Sequence, residues 1–518
     1  MSAGERHSLR RVPGRIPLAI WLISISTLLE RFAYYSFIGP LQNYIQNSFH
    51  DPLRPGALGM GQSIASILNN AFLALSYITP MFAAVISDEH LGRFRTICWS
   101  MSIYITGVLI LTITSIPALL EKGAGLPGLI VALLVISVGT SGVKAALPPF
   151  LADNCGTDAE ELKVTKNGEK VVIDRDATRE YAFNIYYWCV NVGALSRIPS
   201  TFMEKDIGFW STYSMSTIFL CLSLLVFMSG FRLYVYAERE KNAIRPACSA
   251  LVIAGKNGFR MEAARPEEVR ARDGGVVDWD NKFITDLKTG LIACRTFLPI
   301  IVLTVCQNQL STNTVSQAAN MQTHGIPNDV LPNVNSITVV ILMPLITHIL
   351  YPLLRRFRIK FPPITRMALG FAFEVPAMAF AAGVQGWIYD SPPCYSAPRK
   401  CAASNNGLLP NAVNVAAQVP IYVLEGFSEA FAFPAMYEYA YTKAPKSMKA
   451  VVQAILSLAF AFAALLGIAL SPTYHDPELL AMYASLAGAM CLTTILFYVF
   501  FRKYNAQEDS LNAGVNDD

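Results

Sequence analysis

Glu30-Arg31-Phe32-Ala33-Tyr34-Tyr35 stands inside an apolar stretch, with Ile16 to Leu29 before it and Ser36 to Leu41 after it. Ionised side chains at membrane depth cost roughly 2.5–3.5 kcal/mol each on insertion scales, so they are kept where they face a polar pathway or a partner. At 3.6 residues per turn Glu30 falls under Tyr34 and Arg31 under Tyr35, which gathers an acid, a base and two phenols on one broad face. The alternative is a helix-end pair snorkelling to the interface. One more apolar turn follows the motif and weighs against that. The stretch reads as a membrane helix beside the path of a polar solute.

Working outward, the whole chain has the same character. Of 518 residues, 53% are hydrophobic and only 15% charged, far from a soluble enzyme. Mean hydropathy is +0.39. About twelve apolar runs are long enough to span a bilayer, near 16–42, 60–86, 97–117, 127–151, 181–203, 210–235, 295–317, 334–354, 362–383, 413–438, 449–471 and 477–501. Six lie on each side of a polar linker at 236–293, which predicts an all-α membrane protein of two six-helix bundles, 16–235 and 294–501, with an N-terminal segment 1–15 and a tail 502–518. A short echo supports duplication: Leu91-Gly92-Arg93-Phe94-Arg95-Thr96 follows the second run, and Leu354-Arg355-Arg356-Phe357-Arg358-Ile359 follows the eighth.

Basic residues collect on alternate connections. Arg6, Arg10, Arg11 and Arg15 precede the first run, Arg93 and Arg95 follow the second, and Arg355, Arg356, Arg358 and Lys360 follow the eighth. Lys443, Lys446 and Lys449, then Arg502 and Lys503, continue the series. The asymmetry predicts cytoplasmic termini, and the first run, without a cleavage signature, reads as a retained anchor. Residues 152–180 are charged and hold no membrane-length run. Cys394 and Cys401 share a loop assigned to the outside, so they are disulfide candidates, with two free thiols as the alternative. No G-x-x-x-x-G-K-[ST], G-x-S-x-G or H-E-x-x-H pattern occurs, and no Cys/His set has metal-ligand spacing. No enzyme, metal or cofactor is expected, and the energy for any uphill movement must come from an ion gradient.

Further polar residues fall at membrane depth. Lys144 sits mid-run among small residues, Gly139-Thr140-Ser141-Gly142-Val143-Lys144, where helices or ligands can approach closely. A buried ammonium needs a carboxylate, such as Glu30 or one on a ligand; the bland reading is an interfacial lysine. Glu425 and Glu429 stand one turn apart. Asn191 and Asn335 can each donate and accept toward an amide, or serve as glue between helices.

Several motifs in order resemble the proton-coupled oligopeptide transporters of the major facilitator superfamily (the POT/PTR peptide transporters), closest to the fungal branch. Glu30 to Tyr35 is similar to the second half of the first-helix motif E-x-x-E-R-F-x-Y-Y. Asp88-Glu89-His90-Leu91-Gly92-Arg93-Phe94-Arg95-Thr96 resembles the second-to-third loop signature, and Phe183-Asn184-Ile185-Tyr186-Tyr187-Trp188 with Asn191-Val192-Gly193-Ala194-Leu195 that of the fifth helix. Gln317-Ala318 through Gly325-Ile326-Pro327-Asn328-Asp329, and Tyr437 through Pro445, are similar to fungal members. The resemblance covers roughly residues 15–502. It implies a secondary transporter importing di- or tripeptides with protons by alternating access, as a monomer in the plasma membrane, with no nucleic-acid partner. Arg31, Tyr34, Tyr35, Tyr77, Lys144 and Asn191 would then meet the peptide's carboxylate end or backbone, and Asn335 and Glu429 its amino end. Glu30 and Glu429 would couple protons, and Asp88 and Arg93 would pair in a gate.

The chain also departs from that family. Thr27 stands where the motif has its first glutamate, and Cys306-Gln307-Asn308-Gln309 replaces the usual acid and tryptophan of the seventh helix. A threonine cannot titrate, so weak proton coupling with a shallow pH dependence is expected, left to Glu429. Two other functions stay open at this level: a proton-independent facilitator or efflux carrier of a peptide-derived metabolite, and a nutrient receptor on a transporter scaffold.

Overall fold

A computed structural model describes residues 11–514, except 13, 15, 52–53, 156–160, 165–169, 174, 237–242, 274, 358, 360, 406, 444 and 446–447. Arg6, Arg10, Arg15, Arg358, Lys360 and Lys446 of the basic clusters, and Glu238 to Lys241 of the linker, lie outside the described residues. The chain divides into two compact units, one of Met1–Pro40 with Phe82–Glu240 and one of Leu41–Met81 with Lys241–Asp518. The second run thus contributes most of its length to the second unit.

In the first unit the apolar runs become α1 (Leu18–Ile38), α3 (Gln62–Val85, whose last residues lie here), α4 (Arg93–Thr114), α5 (Gly125–Asp153) and α8 (Phe209–Ser229). The fifth run is broken into α6 (Arg175–Ala194) and α7 (Arg197–Asp206). The small residues of α5 do what their size allows. A Cβ on Gly139 would stand 2.5 Å from the Tyr104 Cα, so α4 and α5 pack backbone to backbone. α1 packs against α6 and α8, where Ser26 and Ser223 exchange hydrogen bonds of 2.8–3.1 Å. Ile20, Ile23, Ile97, Met101, Leu147, Phe150 and Phe227 form the core. The charged segment after α5 holds a feature that the sequence reading lacked, a small sheet. β2 (Glu161–Val164) pairs antiparallel with β3 (Lys170–Ile173), and β1 (Arg11–Val12) joins β3 in parallel.

The second unit contains α2 (Leu41–Gln46) and most of α3, then the linker. The linker is helical: α9 (Ile244–Lys256), α10 (Pro266–Asp273) and α11 (Asn281–Ala293). Asp280 caps α11 by accepting from the Phe283 N–H at 2.8 Å, and Lys288 pairs with Glu262 at 2.7 Å. α12 (Leu298–Ala319), α13 (Asn333–Leu345), α14 (Pro363–Asp390), α15 (Val419–Lys443), α16 (Lys449–Ala469) and α17 (Leu479–Gly514) follow. α14 is central: it packs on α12, α15 and α17. A buried amide network, Gln317 to Gln385 at 2.7 Å and Gln418 to Gln317 at 2.8 Å, ties α12 to α14 and to the turn before α15. Cys394 and Cys401 are joined by a disulfide in the loop after α14.

Among the described residues, nine helices are long and apolar enough to cross a membrane by length and composition. α1, α6 and α15 fall outside that set. These are the helices that carry Glu30 and Arg31, the Phe183–Trp188 motif, and the Glu425/Glu429 pair, so polar residues mask their hydropathy. The architecture is an all-α, multi-pass membrane fold with one small extramembrane sheet.

Candidate functional site

The first unit builds a cationic cluster around one ring. Glu30 is 1% exposed, and Arg31 Nε lies 2.7 Å from its Oε2 in an ion pair without directed hydrogen-bond geometry. The Arg31 guanidinium lies 5.4 Å from the centre of the Tyr34 ring, and the Lys144 ammonium lies 5.5 Å from the same centre. Both cations thus use the Tyr34 π-face. Tyr35, one turn on from Arg31, also stands within electrostatic reach of it. Arg31 also reaches Tyr34 at i+3, an equally close neighbour on a helix, and Tyr35 packs edge-on to Tyr34 at 5.4 Å. Gly193 makes the cluster possible, because a Cβ there would lie 2.7 Å from the Arg31 Cβ and 2.9 Å from the Leu28 carbonyl oxygen. Tyr104 from α4 and Tyr186 from α6 stand within electrostatic reach of Arg31. Two basic groups, Arg31 and Lys144, share one ring beside the single carboxyl of Glu30, an arrangement chemically suited to a ligand carboxylate.

Asn191 does not join this group through its amide: its Nδ2 donates to the carbonyl of Tyr187 on its own helix at 2.9 Å. Thr27 is 2% exposed and spends its hydroxyl on the Ile23 carbonyl at 2.9 Å. Arg93 pairs with Asp88 at 3.7 Å and, more closely, with Asp153 at 2.5 Å, tying the turn after α3 to the end of α5. Asp153 was not singled out from the sequence because it lies sixty residues from its partner.

The second unit builds an acidic cluster. Asn335 of α13 donates to Glu429 Oε2 of α15 at 3.2 Å. Gly426 allows this approach: a Cβ there would lie 2.8 Å from the Thr338 Cβ. Glu425 is buried one turn away. A third acid was missed in the sequence, Glu374 of α14, fully buried beside Glu429 and Ser428. The rule applied to Lys144, that a charge in an apolar run is functional by default, would have found it. Tyr77, expected beside the first-unit residues, falls in this unit, its ring 5.2 Å from that of Phe460. Its place follows from the chain path, because α3 packs here up to Met81. Glu438 pairs with Arg366 at 2.8 Å, closing the end of α15 onto the start of α14.

Membrane-spanning helices that carry charged clusters within their length, on this connectivity, define a secondary transporter of the major facilitator type. Residues 94–486 match the family model described as PTR2: POT family. The chain is similar to "Peptide transporter PTR_A" of Candidozyma auris, 38% identical over 98% of this chain and 85% of that protein. It is equally similar to "Probable peptide transporter ptr2" of Schizosaccharomyces pombe, 38% identical over 98% and 81%. "Peptide transporter PTR2" of Saccharomyces cerevisiae is 35% identical over 98% and 83%. Among solved structures, the POT family transporter PepTSo superposes with a TM-score of 0.73 at 18% identity, covering 95% of this chain and 99% of that one. The chain belongs to the POT family, and it is a transporter rather than an enzyme.

Proposed function

We propose that this protein imports di- and tripeptides together with protons by alternating access, as a monomer in the plasma membrane with both termini cytoplasmic. The observation that carries the reading is the Arg31–Tyr34–Lys144 cluster, two cations on one aromatic face inside a chain of this family. A free peptide always ends in a carboxylate, and bringing one to a cationic, water-poor site is favourable only where donors are already in place. Glu429, steadied by Asn335, is the complementary group for a peptide's ammonium. The relatives named as peptide transporters support the same substrate class. Arg93, shared between Asp88 and Asp153, is the gating latch in this reading, since its pairs link two helix ends that a change of access must separate. No cofactor takes part; the proton gradient is the energy source.

The test is peptide exchange. Vesicles holding purified protein and unlabelled dialanine should take up labelled dialanine by counterflow, and N-acetyl-dialanine amide should not compete. Equal competition by the blocked peptide would remove the peptide reading. Thr27 favours a second reading, a facilitator without proton coupling. Accumulation under an imposed proton gradient separates the two.

A further inference from the structure

Glu374 lies in the middle of α14, between Phe371 and Ala377, both fully buried. Its own exposure is 0%, and neither carboxyl oxygen makes a hydrogen bond. Ser428 stands beside it without reaching hydrogen-bond geometry, and Glu429 is close enough to act on it electrostatically. From α12, Cys306 is within electrostatic reach, itself fully buried. From α17 no titratable group acts on Glu374 among the described residues, and from α15 only Glu429 does. Glu425 is a further acid on α15, one turn from Glu429. Arg366, on the same helix, is two turns away and paired with Glu438. No lysine, arginine or histidine acts on Glu374 or Glu429 among the described residues.

An ionised carboxyl in this setting has lost its water and gained neither cation nor donor, at a cost of several kcal/mol. Two neighbouring carboxyls in low dielectric hold a proton between them more readily than two charges. Yet Glu429 is only half-buried and already accepts from Asn335, which suits the ionised form. The pair is therefore asymmetric: Glu429 accepts from Asn335, whereas Glu374 has Ser428 and Cys306 nearby but no hydrogen bond.

We propose that Glu374 is a proton-binding site of this transporter, and that with Glu429 it forms the acid pair that couples protons to substrate. The inference rests on the reading of Glu429 as the group that meets a substrate ammonium. The proton arrives from water, forms the O–H bond of Glu374 and leaves to water on the other side as that bond breaks. With Glu374 neutral, Glu429 carries the only negative charge of the pair and can bind an ammonium. With Glu374 ionised and no ammonium bound, the second charge has no compensation, and Glu374 takes its proton back from water. Proton and ammonium binding are then linked, because each changes the charge the other meets, and by reciprocity each alters the other's affinity by the same factor. The expectation of weak coupling from Thr27 counted Glu429 alone; Glu374 supplies a titrating acid elsewhere in the fold.

Two variants test this in the full chain, reconstituted in vesicles. Glu374→Gln keeps the shape and removes the proton. Labelled dialanine should still exchange by counterflow without a gradient, while accumulation under an inward proton gradient falls to the equilibrated level. Glu374→Asp restores an acid and should restore accumulation. In infrared difference spectra between pH 5 and 8, a protonated-carboxyl band present in the wild type should be missing from Glu374→Gln. Accumulation by Glu374→Gln at the wild-type level, an unchanged carboxyl band, or loss of counterflow together with accumulation would each overturn the proposal. Absence of counterflow in the wild type would instead overturn the peptide reading beneath it.

Discussion

Replacing Lys144 by alanine should weaken binding of a free dipeptide and leave that of its C-terminal amide nearly unchanged. The Lys144 ammonium lies 5.5 Å from the centre of the Tyr34 ring in the ligand-free chain, so that contact is not gained on binding. What the substitution removes is a charge-assisted hydrogen bond to the ligand carboxylate, worth about 1.5–3 kcal/mol. At 1.4 kcal/mol per tenfold, this is a rise of about 10- to 150-fold in Kd. Lys144 is a cleaner site than Arg31. Removing Arg31 strips Glu30, 1% exposed, of a partner 2.7 Å away and adds about 3–5 kcal/mol of a different penalty. The measurement is a cycle of four dissociation constants, wild type and Lys144→Ala against dialanine and dialanine amide, by calorimetry in detergent. The loss on amidation should shrink in the variant by the factor that the variant itself costs. An equal loss on amidation in both proteins would refute the carboxylate contact.

Three further outcomes follow from separate parts of the structure. Glu429→Gln should cost about 1–3 kcal/mol of binding for peptides with a free amino group and abolish discrimination against N-acetyl peptides, read by competition. Gly193→Ala should force α6 away from Arg31, with a stability loss of about 1–3 kcal/mol and weaker peptide binding, read by thermal melting and titration. Asp476, in the loop before α17, is raised above the usual aspartate range because burial outweighs its 2.5 Å bond from Tyr389. Its contribution to stability is therefore complete below the ordinary aspartate pKa and lost as pH rises through the raised value. Asp476→Asn should melt higher than wild type at pH 7, and the two should converge toward pH 4.

Nine helices among the described residues were legible as apolar runs of membrane length, and the Glu30–Tyr35 helix because charges in such a stretch are rare. The pairings were less legible. Asn191 looked like a ligand for an amide, but a helical Asn can always turn to the carbonyl four residues back, as it does to Tyr187. Arg93 was matched to Asp88 nearby in sequence, whereas its shorter pair is Asp153, brought in by the end of α5. The sheet at 161–173 was hidden by short strands and charged composition, and its third strand comes from Arg11 and Val12. Glu374 was overlooked because one acid barely lowers the hydropathy of a 28-residue helix. Its complete burial without a hydrogen bond, beside Glu429, is what the structure adds.

The central claim, peptide import driven by protons, is tested most directly by accumulation in vesicles that contain this protein alone. With an acidic exterior, labelled dialanine should rise inside above the external concentration and fall back when a protonophore collapses the gradient. The same internal level with and without the gradient would contradict the account.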